Sequence, residues 1–152
     1  MGHKKTGILF LCTGNACRSQ MAEGWTRFLK GDRFDAWSAG IKTHGLDPYA
    51  VQVMAEAGVD ISHQKSTHVR ELMDYPFDYV VTLCDHARES CPLFPRPVIH
   101  IHRSFDDPPF LAASAVSEAE VLDIYRRVRD EIRSYIETLP EQISAAGSDG
   151  TP

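Results

Sequence analysis

Apolar residues recur along this chain with two different periods. Ile8-Leu9-Phe10-Leu11 is a short run of large apolar side chains without polar alternation. That pattern predicts a strand covered on both faces, over about 6–12. Three more short runs, at 34–39, 79–83 and 98–102, read as further strands. Between them the spacing shifts toward 3.6. Met21, Ala22, Trp25, Phe28 and Leu29 share one face of a helix over 19–30, and Gly31 is placed to end it. Trp25 and Phe28 are expected in the core. Asp47-Pro48 pairs a cap residue with a first-turn proline, and Ala50, Val53, Met54 and Ala57 mark the buried face that follows. Residues 59–66 read as extended, 67–74 as a short helix, and Phe105-Asp106-Asp107-Pro108-Pro109 as a loop. Ser117-Glu118-Ala119-Glu120 is a capping box. It opens the longest helix, with Val121, Tyr125, Val128, Ile132, Tyr135 and Leu139 as its apolar stripe and Pro140 as its stop.

Strands alternating with helices predict right-handed βαβ units. The expected fold is α/β: a single-domain, open, parallel four-stranded sheet with helices on both faces. Residues 1–140 form the one catalytic domain, and the small, polar stretch 141–152 is expected to be a flexible tail. In such sheets ligands bind beyond the C-terminal strand ends. Cys12, Cys84 and the Asp107 loop all follow strand ends, so they are expected to converge.

The formal net charge of -5 disfavours nucleic acid or an anionic membrane as partner. The apolar run at 8–12 is far shorter than the ~20 residues of a spanning helix, and Lys4-Lys5 before it does not make a signal peptide. A cytoplasmic location follows as the expectation, where thiols stay reduced. The four cysteines are then better read as reactive or metal-binding than as structural disulfides. No cofactor is expected.

The chemistry concentrates in Cys12-Thr13-Gly14-Asn15-Ala16-Cys17-Arg18-Ser19, between the first strand and the first helix. A loop of this length can turn several backbone N–H groups toward one centre at a helix N-terminus, which suits a tetrahedral oxyanion. Arg18 adds a planar fork of donors. Cys12 at the loop mouth faces the anion, and the same donors favour thiolate, so Cys12 is the expected nucleophile. Ser19 can donate a hydroxyl hydrogen bond to it. The plainer alternative is a small buried cysteine.

Cys84 and Cys91 stand seven residues apart in Cys-Asp-His-Ala-Arg-Glu-Ser-Cys-Pro. In a helix they would share a face but lie about 10.5 Å apart along the axis, whereas a disulfide needs Cα atoms within about 7 Å. A Cys84–Cys91 bond therefore requires the segment to unwind, as in a redox switch. Burial as apolar residues, or zinc held with His86 and His100 or His102, are the alternatives, and the spacing fits no standard zinc site. Asp107 before Pro108 is a candidate general acid, since a carboxyl beside a bound oxyanion tends to keep its proton. Alone it would read as a turn residue. His63, His68, His86, His100 and His102 read as surface or packing residues.

The segment from Cys12 to Ser19 together with Asp107-Pro108 resembles the low-molecular-weight protein tyrosine phosphatases. The added Cys84 and Cys91 make the chain similar to the thioredoxin-coupled arsenate reductases built on that fold. Gln20-Met21-Ala22-Glu23-Gly24-Trp25, Ser38-Ala39-Gly40, His44-Gly45-Leu46 and Val81-Thr82-Leu83-Cys84 agree, over about 6–139. The resemblance implies that Cys12 attacks arsenate with Asp107 protonating the leaving oxygen. Cys84 then attacks Cys12 and releases arsenite, and Cys91 attacks Cys84 to leave a disulfide that thioredoxin reduces. It implies that Thr13, Gly14, Asn15, Ala16, Cys17, Arg18 and Ser19 bind substrate, with Cys17 outside the relay. A monomer is expected. Ala16 stands where many relatives carry serine. Some relatives hold potassium through residues matching Asn15, Glu23, Ser38 and a later aspartate, but Thr67 occupies that last position here, so no metal is assigned. The alternatives are a phosphatase for phosphotyrosine or small phosphate esters, and a thiol sensor for a soft metal ion.

Overall fold

A computed structural model describes residues 5–139. Four strands form one sheet: β1 (Thr6–Cys12), β2 (Phe34–Gly40), β3 (Tyr79–Thr82) and β4 (Ile99–His102), in the order β2-β1-β3-β4 with every neighbouring pair parallel. Ile8, Leu9, Phe10 and Leu11 have no exposed surface. Successive strand residues point to opposite faces, so β1 is covered on both sides, as its unbroken apolar run predicts.

The helices are α1 (Arg18–Lys30), α2 (Pro48–Glu56), α3 (Asp85–Glu89), α4 (Pro108–Ala112) and α5 (Glu118–Glu137). α1 packs against β2 and α5, and α5 also touches α2 and α4. On α1, Met21, Ala22 and Trp25 are buried, and the Trp25 indole N–H donates to the Arg129 carbonyl across the α1–α5 interface at 3.1 Å. On α5, Tyr125, Val128, Ile132, Tyr135 and Ile136 are buried. The Ser117 hydroxyl accepts from the Glu120 N–H and caps the helix as its sequence predicts.

Three local readings are corrected. Phe28 is 58% exposed, set edge-on to Trp25 at the outer margin of the helix stripe instead of in the core. The helix expected over 67–74 shrinks to one 3-10 turn, Val69–Leu72, with a capping box between His68 and Glu71. Residues 105–109 are not wholly a loop, because α4 starts at Pro108 with Asp107 as its N-cap. The two prolines fit there because first-turn N–H groups have no intrahelical partner to lose. The tail expected at 141–152 lies outside the described residues.

The register aligns the ends that matter. Cys12 pairs with Gly40, Leu11 with Thr82, and Thr82 with His102. The chain moves from β2 on one side of β1 to β3 on the other. The crevice at such a switch point is where α/β sheets place ligands, and here Cys12 and Cys84 flank it. Among the described residues no helix is long and apolar enough to cross a membrane.

Candidate active site

Residues 12–18 curl around a small cavity of about 170 Å³, lined by Cys12, Thr13, Gly14, Ala16, Cys17, Arg18, His44, Asp107 and Pro109. The curl needs a left-handed backbone at one position. Asn15 supplies it with φ of 49°, a conformation that asparagine tolerates better than most residues. The Asn15 side chain then holds the loop from inside. It donates to Ser19 Oγ at 2.8 Å and accepts from the Thr67 N–H at 2.7 Å. Gln20 Nε2 donates to the Asn15 carbonyl at 2.9 Å and to Lys65 O at 3.1 Å. A second layer of backbone fastens the rim: the N–H groups of Ile41, Lys42 and His44 donate to the carbonyls of Cys12, Thr13 and Gly14. Those three carbonyls are thereby taken up by the 41–44 backbone.

Ser19 Oγ lies 2.8 Å from Cys12 Sγ. The hydroxyl already accepts a hydrogen from Asn15, so its own proton is free to point at the sulfur. Cys12 is thus a buried sulfur at a helix N-terminus with a hydroxyl donor beside it. Cys17 differs. Burial, reinforced by the Asp47 carboxylate, holds its thiol well above the ordinary range, so it stays a thiol.

Arg18 is buried and reaches across the cavity. Its guanidinium donates to the Phe105 carbonyl at 3.1 Å and lies 3.7 Å from Asp107 Oδ2. Asp107 caps α4 by position, yet its carboxylate makes no capping hydrogen bond. Pro108 and Pro109 explain this in part, because neither has an N–H to donate. The carboxylate is left turned to the cavity and to Arg18.

Cys84 joins from the turn between β3 and α3. It is 8% exposed, and its Sγ lies 3.3 Å from Thr13 Oγ1 and accepts from the Ala87 N–H at 3.4 Å as the N-cap of α3. Cys91 lies two residues beyond the end of α3 and is half-buried, and burial pushes its thiol up. All four cysteines are free. The structure therefore gathers Cys12, Arg18, Asp107 and the loop around one cavity and ties Cys84 to that loop. Cys91 stands apart at the end of the following segment.

The residues matching a potassium site do not fit one. Ser38 donates to Glu23 Oε1 at 2.6 Å and Arg27 pairs with Glu23 Oε2 at 2.7 Å. The Asn15 side-chain oxygen is committed to Thr67 N–H and Gln20. A guanidinium thus already meets the one carboxylate of the set. Among the described residues no three His, Cys, Asp or Glu side chains are gathered as a metal ion would require.

Two residues take places at the site that the sequence reading did not give them. His44 forms part of the cavity wall, close enough to Gly14 that a Cβ there would lie 2.3 Å from its Nδ1. Its position just after the end of β2, at the ligand edge of the sheet, was the available signal. His86, read as a surface residue, is exposed but bonds Thr13 through Nδ1 at 3.2 Å. Its place two residues after Cys84 was the clue.

Comparison with known proteins agrees with this geometry. Residues 7–148 match the family described as low molecular weight phosphotyrosine protein phosphatase. An arsenate reductase of Halalkalibacterium halodurans is 47% identical over 137 residues, covering 90% of this chain and 96% of that protein. An arsenate reductase of Bacillus subtilis is 46% identical over 134 residues, 88% of this chain and 94% of its own. A solved arsenate reductase in a phosphate-binding state superposes with a TM-score of 0.68 at 29% identity, covering 91% of this chain and 98% of the other. The chain belongs to the low molecular weight phosphotyrosine protein phosphatase family, and its similarity to bacterial arsenate reductases runs over nearly its whole length.

Proposed function

We propose that this protein is an arsenate reductase that works by a three-thiol relay with thioredoxin as its reductant. Arsenate enters the cavity and is held by the backbone N–H groups of residues 13–18 and the Arg18 fork. The Cys12 sulfur attacks arsenic, and Asp107 gives a proton to the departing oxygen. Cys84 then attacks the Cys12 sulfur. The S–As bond breaks with its electron pair going to arsenic, so arsenic falls from +5 to +3 while two thiols become a Cys12–Cys84 disulfide. Cys91 attacks Cys84, frees Cys12, and leaves a Cys84–Cys91 disulfide for thioredoxin.

The observation that carries this reading is the Thr13 hydroxyl bridging the oxyanion loop to Cys84. Ester hydrolysis at Cys12 has no use for a second cysteine there. α3 supports the last step in a different way from the sequence argument. The helix spans only Asp85–Glu89, so Cys91 already lies outside it and only one short helix must open to let the two sulfurs meet. The protein acts as a cytoplasmic monomer, with residues 1–140 as one catalytic domain.

Phosphotyrosine phosphatase activity is the second reading, favoured by the family and by Phe110, 76% exposed next to Pro109 at the cavity rim. NADPH consumption with arsenate, thioredoxin and thioredoxin reductase, run beside p-nitrophenyl phosphate hydrolysis, separates the two. Arsenate-dependent turnover lost in Cys84→Ser is expected. Fast ester hydrolysis without arsenate-dependent oxidation would replace the reductase reading with the phosphatase one.

A further inference from the structure

Thr13 Oγ1 sits between two partners, 3.3 Å from Cys84 Sγ and 3.2 Å from His86 Nδ1. Cys84 is buried and His86 is exposed, so this short chain runs from an enclosed sulfur to solvent. A threonine hydroxyl has one proton to give and can accept at the same time. Two arrangements satisfy the geometry. In one, the Cys84 thiol donates to Thr13 and Thr13 donates to a neutral His86 Nδ1. In the other, an imidazolium donates to Thr13 and Thr13 donates to a Cys84 thiolate. They differ by one proton moved from sulfur to imidazole through the hydroxyl.

We propose that His86 is a positioning residue for Cys84: through the Thr13 hydroxyl it takes up the proton that Cys84 loses as it attacks. The inference rests on the three-thiol reading and assigns the proton of its second step. The Cys84 S–H proton passes to Thr13 Oγ1, and the Thr13 proton passes to His86 Nδ1. The Cys84–Cys12 bond forms as the Cys12–arsenic bond breaks, and arsenic keeps the electron pair. His86, at the surface, then returns its proton to water. Histidine suits this task because its charge changes between about pH 5 and 8, where a hydroxyl has no acid–base role of its own.

The neighbouring charges leave His86 available. Asp85 on the same helix turns instead to His102 Nε2 of β4 at 3.1 Å and to Arg88 at 3.7 Å. Glu89 lies one turn on, at the end of α3. From β1 and its loop, Thr13 brings the hydroxyl and Cys12 its sulfur, and the loop's Arg18 is engaged with Phe105 O and Asp107. The Ala87 N–H holds Cys84 Sγ from the other side, so the sulfur stays in place as its proton leaves.

The test uses the full-length protein with its native cysteines. Alkylation of Cys84 by iodoacetamide is followed by peptide mass spectrometry from pH 5.5 to 8.5, without arsenate. His86→Asn keeps a hydrogen-bond acceptor near Nδ1 but cannot take up a proton, and His86→Leu removes both properties. The wild-type rate is expected to step up across the histidine range. Both variants should remove the step and lower the rate at pH 7 about tenfold, while Thr13→Ser retains it. Formation of the Cys12–Cys84 disulfide after one arsenate pulse, measured in a Cys91→Ser background, should slow by a similar factor with His86→Asn. An unchanged alkylation profile in His86→Asn overturns the proposal. If no protein forms the disulfide with arsenate but the alkylation step still depends on His86, the relay fails while the proton path stands.

Discussion

Gly40→Ala should damage the site without touching any group that performs chemistry. Gly40 ends β2 opposite Cys12, and an added Cβ would lie 2.4 Å from Lys42 O, 2.7 Å from Asn15 N and 2.9 Å from Gly14 C. All three are backbone atoms, so no side chain can swing aside. Relaxing them to ordinary contact near 3.4 Å means opening the gap by about 0.5–1 Å, as the distances require. The segment that must move carries the Lys42 N–H to Thr13 O hydrogen bond, 2.8 Å, and the left-handed Asn15. Overpacking of this kind costs about 1–3 kcal/mol of stability, and a displacement approaching 1 Å at a reacting centre costs on the order of 100-fold in rate. Gly7→Ala is the control, because its nearest neighbours lie at 3.4 Å and in ordinary contact. Urea denaturation gives the first quantity and arsenate-dependent NADPH oxidation the second. Gly40→Ala with wild-type stability and kcat/KM within threefold of wild type would refute the claim that the 40–44 backbone sets the loop's geometry.

Asp107→Asn removes the proposed general acid while leaving the Arg18 contact sterically intact, so kcat for arsenate reduction should fall about 10²–10³-fold with little change in KM, by steady-state kinetics. Tyr135 carries a buried hydroxyl without a partner among the described residues, and burial pushes it up to about 12 against the pull of Arg103. Tyr135→Phe should therefore be neutral or stabilising by up to ~1 kcal/mol in urea unfolding, because no hydrogen bond is lost. Burial raises Glu23 above the ordinary glutamate value of 4.5, outweighing Ser38 and Arg27, so the folded state binds its proton more tightly than the unfolded chain. That contribution is full below about 4.5 and is lost as pH rises through the folded value. Glu23→Gln should flatten the part of the urea-midpoint profile that declines above pH 4.5.

The layout of the site was legible because it follows from strand ends. The two central strands announce themselves through apolar runs, β2 and β4 through shorter mixed stretches, and a parallel sheet leaves Cys12, Cys84 and the Asp107 loop few places to go except one edge. The curl of residues 12–18 around a cavity was legible from their spacing. Contacts that depend on rotamers and on distant sequence were not. Nothing local tells that Thr67 N–H reaches Asn15, 52 residues away, or that the Asp107 carboxylate makes no capping hydrogen bond and faces Arg18. Phe28 shows the limit of periodicity: the helical stripe is correct, but its margin lies beyond the cover that α5 provides. α4 was missed because Asp-Pro-Pro fits both a turn and a helix start, and the tertiary contact with α5 decides between them.

In the proposed mechanism Cys84 follows Cys12 in an ordered relay. A single arsenate pulse on Cys91→Ser, with arsenite quantified and disulfides mapped by peptide mass spectrometry, tests it most directly. The relay predicts one arsenite per protein molecule and a Cys12–Cys84 disulfide that then persists. Repeated turnover with thioredoxin as the sole reductant, or arsenite released with Cys84 still a free thiol, would contradict it.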